Sequence, residues 1–177
     1  MLQRRERRRA WPALALLTAL AAVGACGRSA GTPTNLLVIS LDTLRADRVG
    51  AYGHTAAQTP TLDALAARGA RFTNATTTTP LTLSAHTSLF TGTWPMAHGV
   101  RDNTGFYVDE AAITLAEVLK GRGYRTGGFV GAFVLDARWG IAQGFDHYFD
   151  DFDLSEDVGP GLDAIQRRGS EVVDQAT

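Results

Sequence analysis

The sequence predicts an α/β sandwich around a mostly parallel sheet, and three observations carry that expectation. Asn35–Leu41 (NLLVISL) is short and almost wholly apolar, the composition of a strand buried on both faces. Segments with helical spacing follow it, bounded by Pro and Gly. Strand-like and helix-like segments then alternate, the pattern of a parallel sheet covered by helices.

Taken in order, Thr61–Arg68 (TLDALAAR) carries Leu62, Leu65 and Ala66 on one helical face, with Pro60 at its start and Gly69 just past its end. Arg71–Thr76 reads as a second strand, and the threonine run Thr76–Thr79 as a loop. Ser84–Thr91 (SAHTSLFT) reads as a short helix ended by Gly92. Ala112–Lys120 (AITLAEVLK) is amphipathic and stopped by Gly121 and Gly123. Tyr124–Phe133 is a further strand candidate, and Asp163–Thr177 begins another helix. No closing strand follows that helix, so the 177 residues are expected to be the N-terminal part of a longer, C-terminally truncated domain.

Charge is unevenly spread. The formal net charge is −1, but Arg4, Arg5, Arg7, Arg8 and Arg9 lie within the first ten residues; beyond them 12 basic residues face 17 acidic ones. A mildly acidic domain gives no reason to expect nucleic-acid binding. The basic start is followed by the apolar run Trp11–Val23, too short for a span of about 20 residues. Val23-Gly24-Ala25-Cys26 then resembles a bacterial lipobox, so residues 1–26 are expected to be a lipoprotein-type signal, with Cys26 lipidated. A plain cleaved signal and an uncleaved anchor helix are the alternatives. Residues 27–34 form a small-residue linker, and 35–177 the folded part. The expected location is the cell envelope, lipid-anchored and facing the periplasm or exterior. Cys26 is the only cysteine, which excludes an intramolecular disulfide and leaves none for catalysis in the folded part.

Two positions stand out for chemistry. Asp42 follows the first apolar run directly, at the carboxyl end of the expected strand, where open α/β sheets bind ligands. A carboxylate there suits a divalent cation; turn capping fits equally well. The second is Thr79–His86 (TPLTLSAH), where a polar loop meets a helix start that favours an anion. The Thr82 hydroxyl becomes a strong nucleophile if a metal deprotonates it. On local sequence alone, Thr82 or Ser84 reads rather as a helix cap.

Three separated blocks change that weighing. NLLVISLDTLRADRVGAYGH, TPTLDALAARGARFTNA and PLTLSAHTSLFTGTWPMAHGV resemble, in order and spacing, the opening of the sulfatase family, from about Asn35 to about Phe152. The resemblance implies the three-layer alkaline-phosphatase-like fold, a metal ligand at Asp42 and the nucleophile position at Thr82. The chain departs from the usual pattern of Cys or Ser, then x-Pro-x-Arg: Thr82 cannot become formylglycine, and Ser84 and His86 stand at the Pro and Arg positions. Thr43 replaces the second acid after the first strand, and Ala132-Phe133-Val134 fall where a Lys-Trp-His motif is usual.

Thr82, His86, Thr91, Gly92, Pro95, His98, Gly99, Asp102 and Asn103 instead resemble the nucleotide pyrophosphatase/phosphodiesterase branch of the same superfamily. That likeness implies Asp42 and Thr82 as ligands of a divalent metal, zinc rather than calcium, and Asn103 as a donor to the non-bridging oxygens of a small anionic ester. It shifts the expectation towards phosphoester or phosphodiester chemistry, with phosphotransfer and a non-catalytic, anion- or partner-binding relative as alternatives. His86 is a candidate helper of Thr82, although a histidine on a helix face is more often structural. His54 is not expected to ligate, His98 is expected to fix the turn before Gly99, and Arg45 and Asp47 to pair. The stretch with Asp146, Asp150, Asp151 and Asp153 reads as a solvated loop, a surface cation site being the alternative. With the remaining metal ligands outside it, the isolated chain is expected to be inactive.

Overall fold

The computed structural model describes residues 34–152, 154 and 165–177. The signal segment, Cys26, most of the linker, Asp153 and the start of the last expected helix lie outside the described residues. The chain divides into two compact units, residues 1–40 and 41–177. Of the first, the described residues 34–40 form neither helix nor strand. The expected strand Asn35–Leu41 is therefore corrected: Leu36, Leu37, Val38 and Ile39 are exposed, Leu37 at 80%. Its apolar residues need a ladder on each side, and the described sheet contains two other strands only.

In the second unit the helices are α1 (Pro60–Arg68), α2 (Thr82–Thr91), the single turn α3 (Pro95–His98), α4 (Leu115–Lys120) and α5 (Gly169–Ala176). Strands β1 (Gly127–Phe129) and β2 (His147–Phe149) pair in parallel, with Gly128 opposite Tyr148. Glycine at 128 is required by packing, because a Cβ there would lie 2.5 Å from the Tyr148 ring. The Tyr148 hydroxyl donates to the Leu135 carbonyl at 2.6 Å, and burial raises its pKa. A parallel pair needs a long crossover, here filled by the one-turn helices Phe133–Leu135 and Ala137–Trp139.

The expected strand Arg71–Thr76 is absent; those residues are irregular. The Arg71 guanidinium instead bonds the Ala51 carbonyl and lies over the Tyr52 ring. Helix α4 begins three residues later than its apolar pattern predicts. Thr114 caps it, accepting from Glu117 N–H while the Glu117 carboxylate accepts from Thr114 N–H. Strand β2 lies in the acidic, aromatic-rich stretch read as a loop.

The core gathers Leu83, Val100, Val108, Val134, Leu135 and Ile141, with Phe133 also fully buried. Leu83 belongs to α2, so one buried side chain pins the start of that helix into the core.

Asp146 joins three elements. Its carboxylate accepts from Thr126 N–H at 2.9 Å and pairs with Lys120 at 2.7 Å, at the end of α4. These partners, Lys120 first, hold its pKa at about 2, against an ordinary 3.8. A depressed acid stabilises the fold above its unfolded pKa and loses that contribution as pH falls through the folded value. Asp146→Asn is therefore expected to lower thermal stability at neutral pH, with the gap to wild type closing between pH 3.8 and about 2. Melting curves across that window, followed by circular dichroism, check this; a gap independent of pH would refute it.

Candidate active site

Helix α2 starts at Thr82 because Pro80 disfavours helix at the residue before it and Leu81 is extended (φ −109°, ψ 130°). It ends at Gly92, whose φ of 66° any side chain would strain. Thr82 is thus the first helical residue rather than the cap, and no side chain of the N-cap residue Leu81 caps the helix. The cap comes from elsewhere in the chain: Asn103 Oδ1 accepts from Leu83 N–H at 3.0 Å. Because that partner is an N–H, the Asn103 amide orientation is fixed and its NH₂ is left as the remaining donor.

Across a separation of forty residues, the Thr82 hydroxyl donates to Asp42 Oδ2 at 3.0 Å. Asp42 Oδ1 accepts from Thr43 N–H, also at 3.0 Å. Thr43 has φ 58°, the only described non-glycine residue with positive φ. A β-branched residue there is an outlier, and its strained backbone aims the preceding carboxylate. His86 is buried, and its Nδ1 lies 2.8 Å from the Thr82 carbonyl oxygen. A carbonyl only accepts, so that nitrogen carries the hydrogen, and this contact reaches the Thr82 backbone rather than its hydroxyl.

Asp42, Thr82, Asn103 and His86 therefore meet at the first turn of α2. Among the described residues no three His, Cys, Asp or Glu side chains gather into a metal cage. The donors that are present still fit a divalent cation in part. The Asp42 carboxylate uses one acceptor direction on each oxygen, and a carboxylate offers about four; the neighbouring hydroxyl adds a second hard oxygen.

Arg45 and Asp47 pair at 2.7 Å on the surface. The His54 backbone N–H donates to the Val49 carbonyl. Asp150 accepts from Ala137 N–H. His98 Nδ1 accepts from Val100 N–H at 3.1 Å, with Gly99 at φ 80°.

The sulfatase family profile matches residues 34–164. The chain belongs to the sulfatase family. It is 36% identical over 161 residues to arylsulfatase A of Homo sapiens, covering 82% of this chain. It is 39% identical over 110 residues to arylsulfatase A of Bos taurus, covering 58% of this chain. A solved structure of a Bacteroides thetaiotaomicron protein assigned to the sulfatases superposes with a TM-score of 0.54 at 29% identity, covering 67% of this chain and 25% of that one. The fold is therefore α/β and alkaline-phosphatase-like. This sulfatase-family chain spans 21% of the bovine relative and 29% of the human one.

Sequence reasoning missed the cap that Asn103 places on Leu83, because the contact is not local. It also missed the strain at Thr43, of which the residue type gives no sign. Left-handed strain costs about 1–3 kcal/mol, and glycine gives part of its relief back through greater unfolded-state freedom. Thr43→Gly is expected to raise stability by roughly 0.5–1 kcal/mol in denaturant titrations. A loss of stability would mean that the Thr43 hydroxyl matters more than its backbone.

Proposed function

We propose that this chain supplies the nucleophile end of a metal-dependent active site that cleaves sulfuric or phosphoric esters, with Thr82 as the attacking residue. The observation that carries the proposal is the Thr82–Asp42 contact at the start of α2. Family membership makes ester hydrolysis the expected chemistry, and the contact supplies a reason for threonine in the attacking place.

Asp42 and Thr82 would be the first two ligands of a divalent cation, which when bound supplies the positive charge that makes a threonine hydroxyl acidic. Asp42 Oδ2 takes the hydroxyl hydrogen and leaves the lone pairs of Thr82 Oγ1 facing away from the carboxylate. In the proposed reaction that oxygen attacks sulfur or phosphorus in line, its proton is lost to solvent, the ester oxygen leaves and is protonated to the alcohol, and Thr82 carries the group until water hydrolyses it and restores the hydroxyl. The Asn103 NH₂, fixed by the bond to Leu83 N–H, donates to an equatorial oxygen of the group in transfer. His86 acts through the Thr82 carbonyl by holding the first turn of α2 in place. The substrate is a small anionic ester. Threonine in place of a formylglycine precursor favours phosphoryl over sulfuryl transfer.

The full-length protein is expected to turn over an aryl phosphate or diaryl phosphate faster than an aryl sulfate. Thr82→Ala should lower kcat by on the order of 10³-fold or more, and Asn103→Ala by about 10²-fold. Chelation should abolish turnover, and zinc should restore it better than calcium. Wild-type rates in Thr82→Ala would overturn the assignment, and binding of anionic esters without turnover would favour a non-catalytic relative. The same reading anchors the protein in the cell envelope through lipid on Cys26. Cys26→Ser is then expected to move it from the membrane to the soluble fraction; unchanged membrane association would count against the anchor.

A further inference from the structure

After Gly92 the chain turns through α3 and runs back along α2 towards its start. Three polar contacts bind the returning segment to the helix. His98 Nε2 lies 2.9 Å from Ser88 Oγ. The Ser84 hydroxyl donates to the Val100 carbonyl at 2.7 Å, with Ser84 and Val100 both fully buried. Leu83 N–H donates to Asn103 Oδ1 at 3.0 Å. Helix positions fall from 88 to 84 to 83 as loop positions rise from 98 to 100 to 103, so the segment is antiparallel to the helix.

The protonation pattern of His98 follows from its neighbours. Val100 N–H donates to Nδ1, so the hydrogen of a neutral ring sits on Nε2 and is given to Ser88 Oγ. Burial lowers the His98 pKa, which favours that neutral ring. Ser88 Oγ also accepts from the Thr78 hydroxyl at 2.9 Å. With both lone pairs engaged, Ser88 cannot be a nucleophile activated by His98. The pair is a clamp, and it extends to the threonine loop before Pro80.

We propose that Ser84, Ser88 and His98 are positioning residues that hold the returning segment in register along α2 and so keep Asn103 on the Leu83 amide beside Thr82. The proposal rests on the reading of Thr82 and Asn103 given above. None of the three residues touches the reacting group; each acts through Asn103. Small hydroxyl side chains at 84 and 88 stand one helical turn apart and face the segment that must be held.

The test uses the full-length protein with an aryl phosphate, and hydrogen exchange at Leu83 as a readout independent of turnover. Ser84→Ala and His98→Ala are expected to lower kcat roughly 10- to 100-fold with KM nearly unchanged, and to speed exchange at Leu83. His98→Gln, which returns an N–H near the Nε2 position, should recover most of both losses. His98→Asn keeps the acceptor for Val100 N–H but is too short for Ser88, and serves if His98→Ala does not fold. It should behave like the alanine variant. Folded Ser84→Ala and His98→Asn proteins with wild-type kcat and wild-type Leu83 exchange would overturn the proposal. If Thr82→Ala keeps full turnover, the chemistry assigned to Thr82 fails, while Leu83 exchange still decides whether the clamp exists.

Discussion

The hydrogen bond from the Thr82 hydroxyl to Asp42 sets the conditions that the neighbouring structure meets. It joins an exposed carboxylate to the first residue of a helix forty positions away, and an exposed contact of this kind is weak alone. Its geometry is held by what lies on each side. Leu83, fully buried, seats the helix in the core one residue beyond Thr82. On the other side the backbone of Thr43 is held left-handed, and its N–H fixes the second carboxylate oxygen. Strain of this kind persists only where the surroundings over-determine it.

The start of α2 illustrates a division of labour. A helix leaves its first N–H groups unsatisfied, and a local Ser, Thr, Asp or Asn usually accepts from one of them. Here Leu81 occupies the cap position and offers no acceptor side chain, while Asn103 arrives from the returning segment. Thr82 is thereby released from capping, and its hydroxyl is given to Asp42 instead. Thr82 is already inside the helix, one residue past the cap position, and its hydroxyl hydrogen points to Asp42. The reading of Thr82 as a cap, favoured by local sequence, fails for that reason.

Much of this was legible in the residues, and the failures share a cause. Helix α1, the glycine stop of α2, the surface pair Arg45–Asp47 and the turn at His98 all depend on neighbours within a few positions, and local patterns predicted them. Resemblance to sulfatases strengthened Asp42 and Thr82 beyond what local sequence could do, and resemblance to the nucleotide pyrophosphatase/phosphodiesterase branch added Asn103. Asn35–Leu41 and Arg71–Thr76 have strand composition, yet a strand exists only where a partner supplies its ladder. Strand β2 hid among acidic residues, where Asp146 and Asp150 accept from backbone N–H groups and Asp146 also pairs with Lys120. Thr114 and Glu117 were a readable capping pair, outweighed by an apolar pattern that began earlier.

The departures from the usual sulfatase pattern are best understood as a set. An arginine at position 86, four residues past Thr82, would bring a charge to the first turn of the helix. His86 is buried there and gives a hydrogen to the Thr82 backbone instead. A proline at 84 would have no hydroxyl, whereas Ser84 uses its own to hold Val100. Each replacement supplies a bond that positions backbone. Under the proposed reading, a site built this way would draw less on fixed positive charge and more on the aim of a few oxygens and one amide, a setting in which the Thr82 hydroxyl beside Asp42 would have a use.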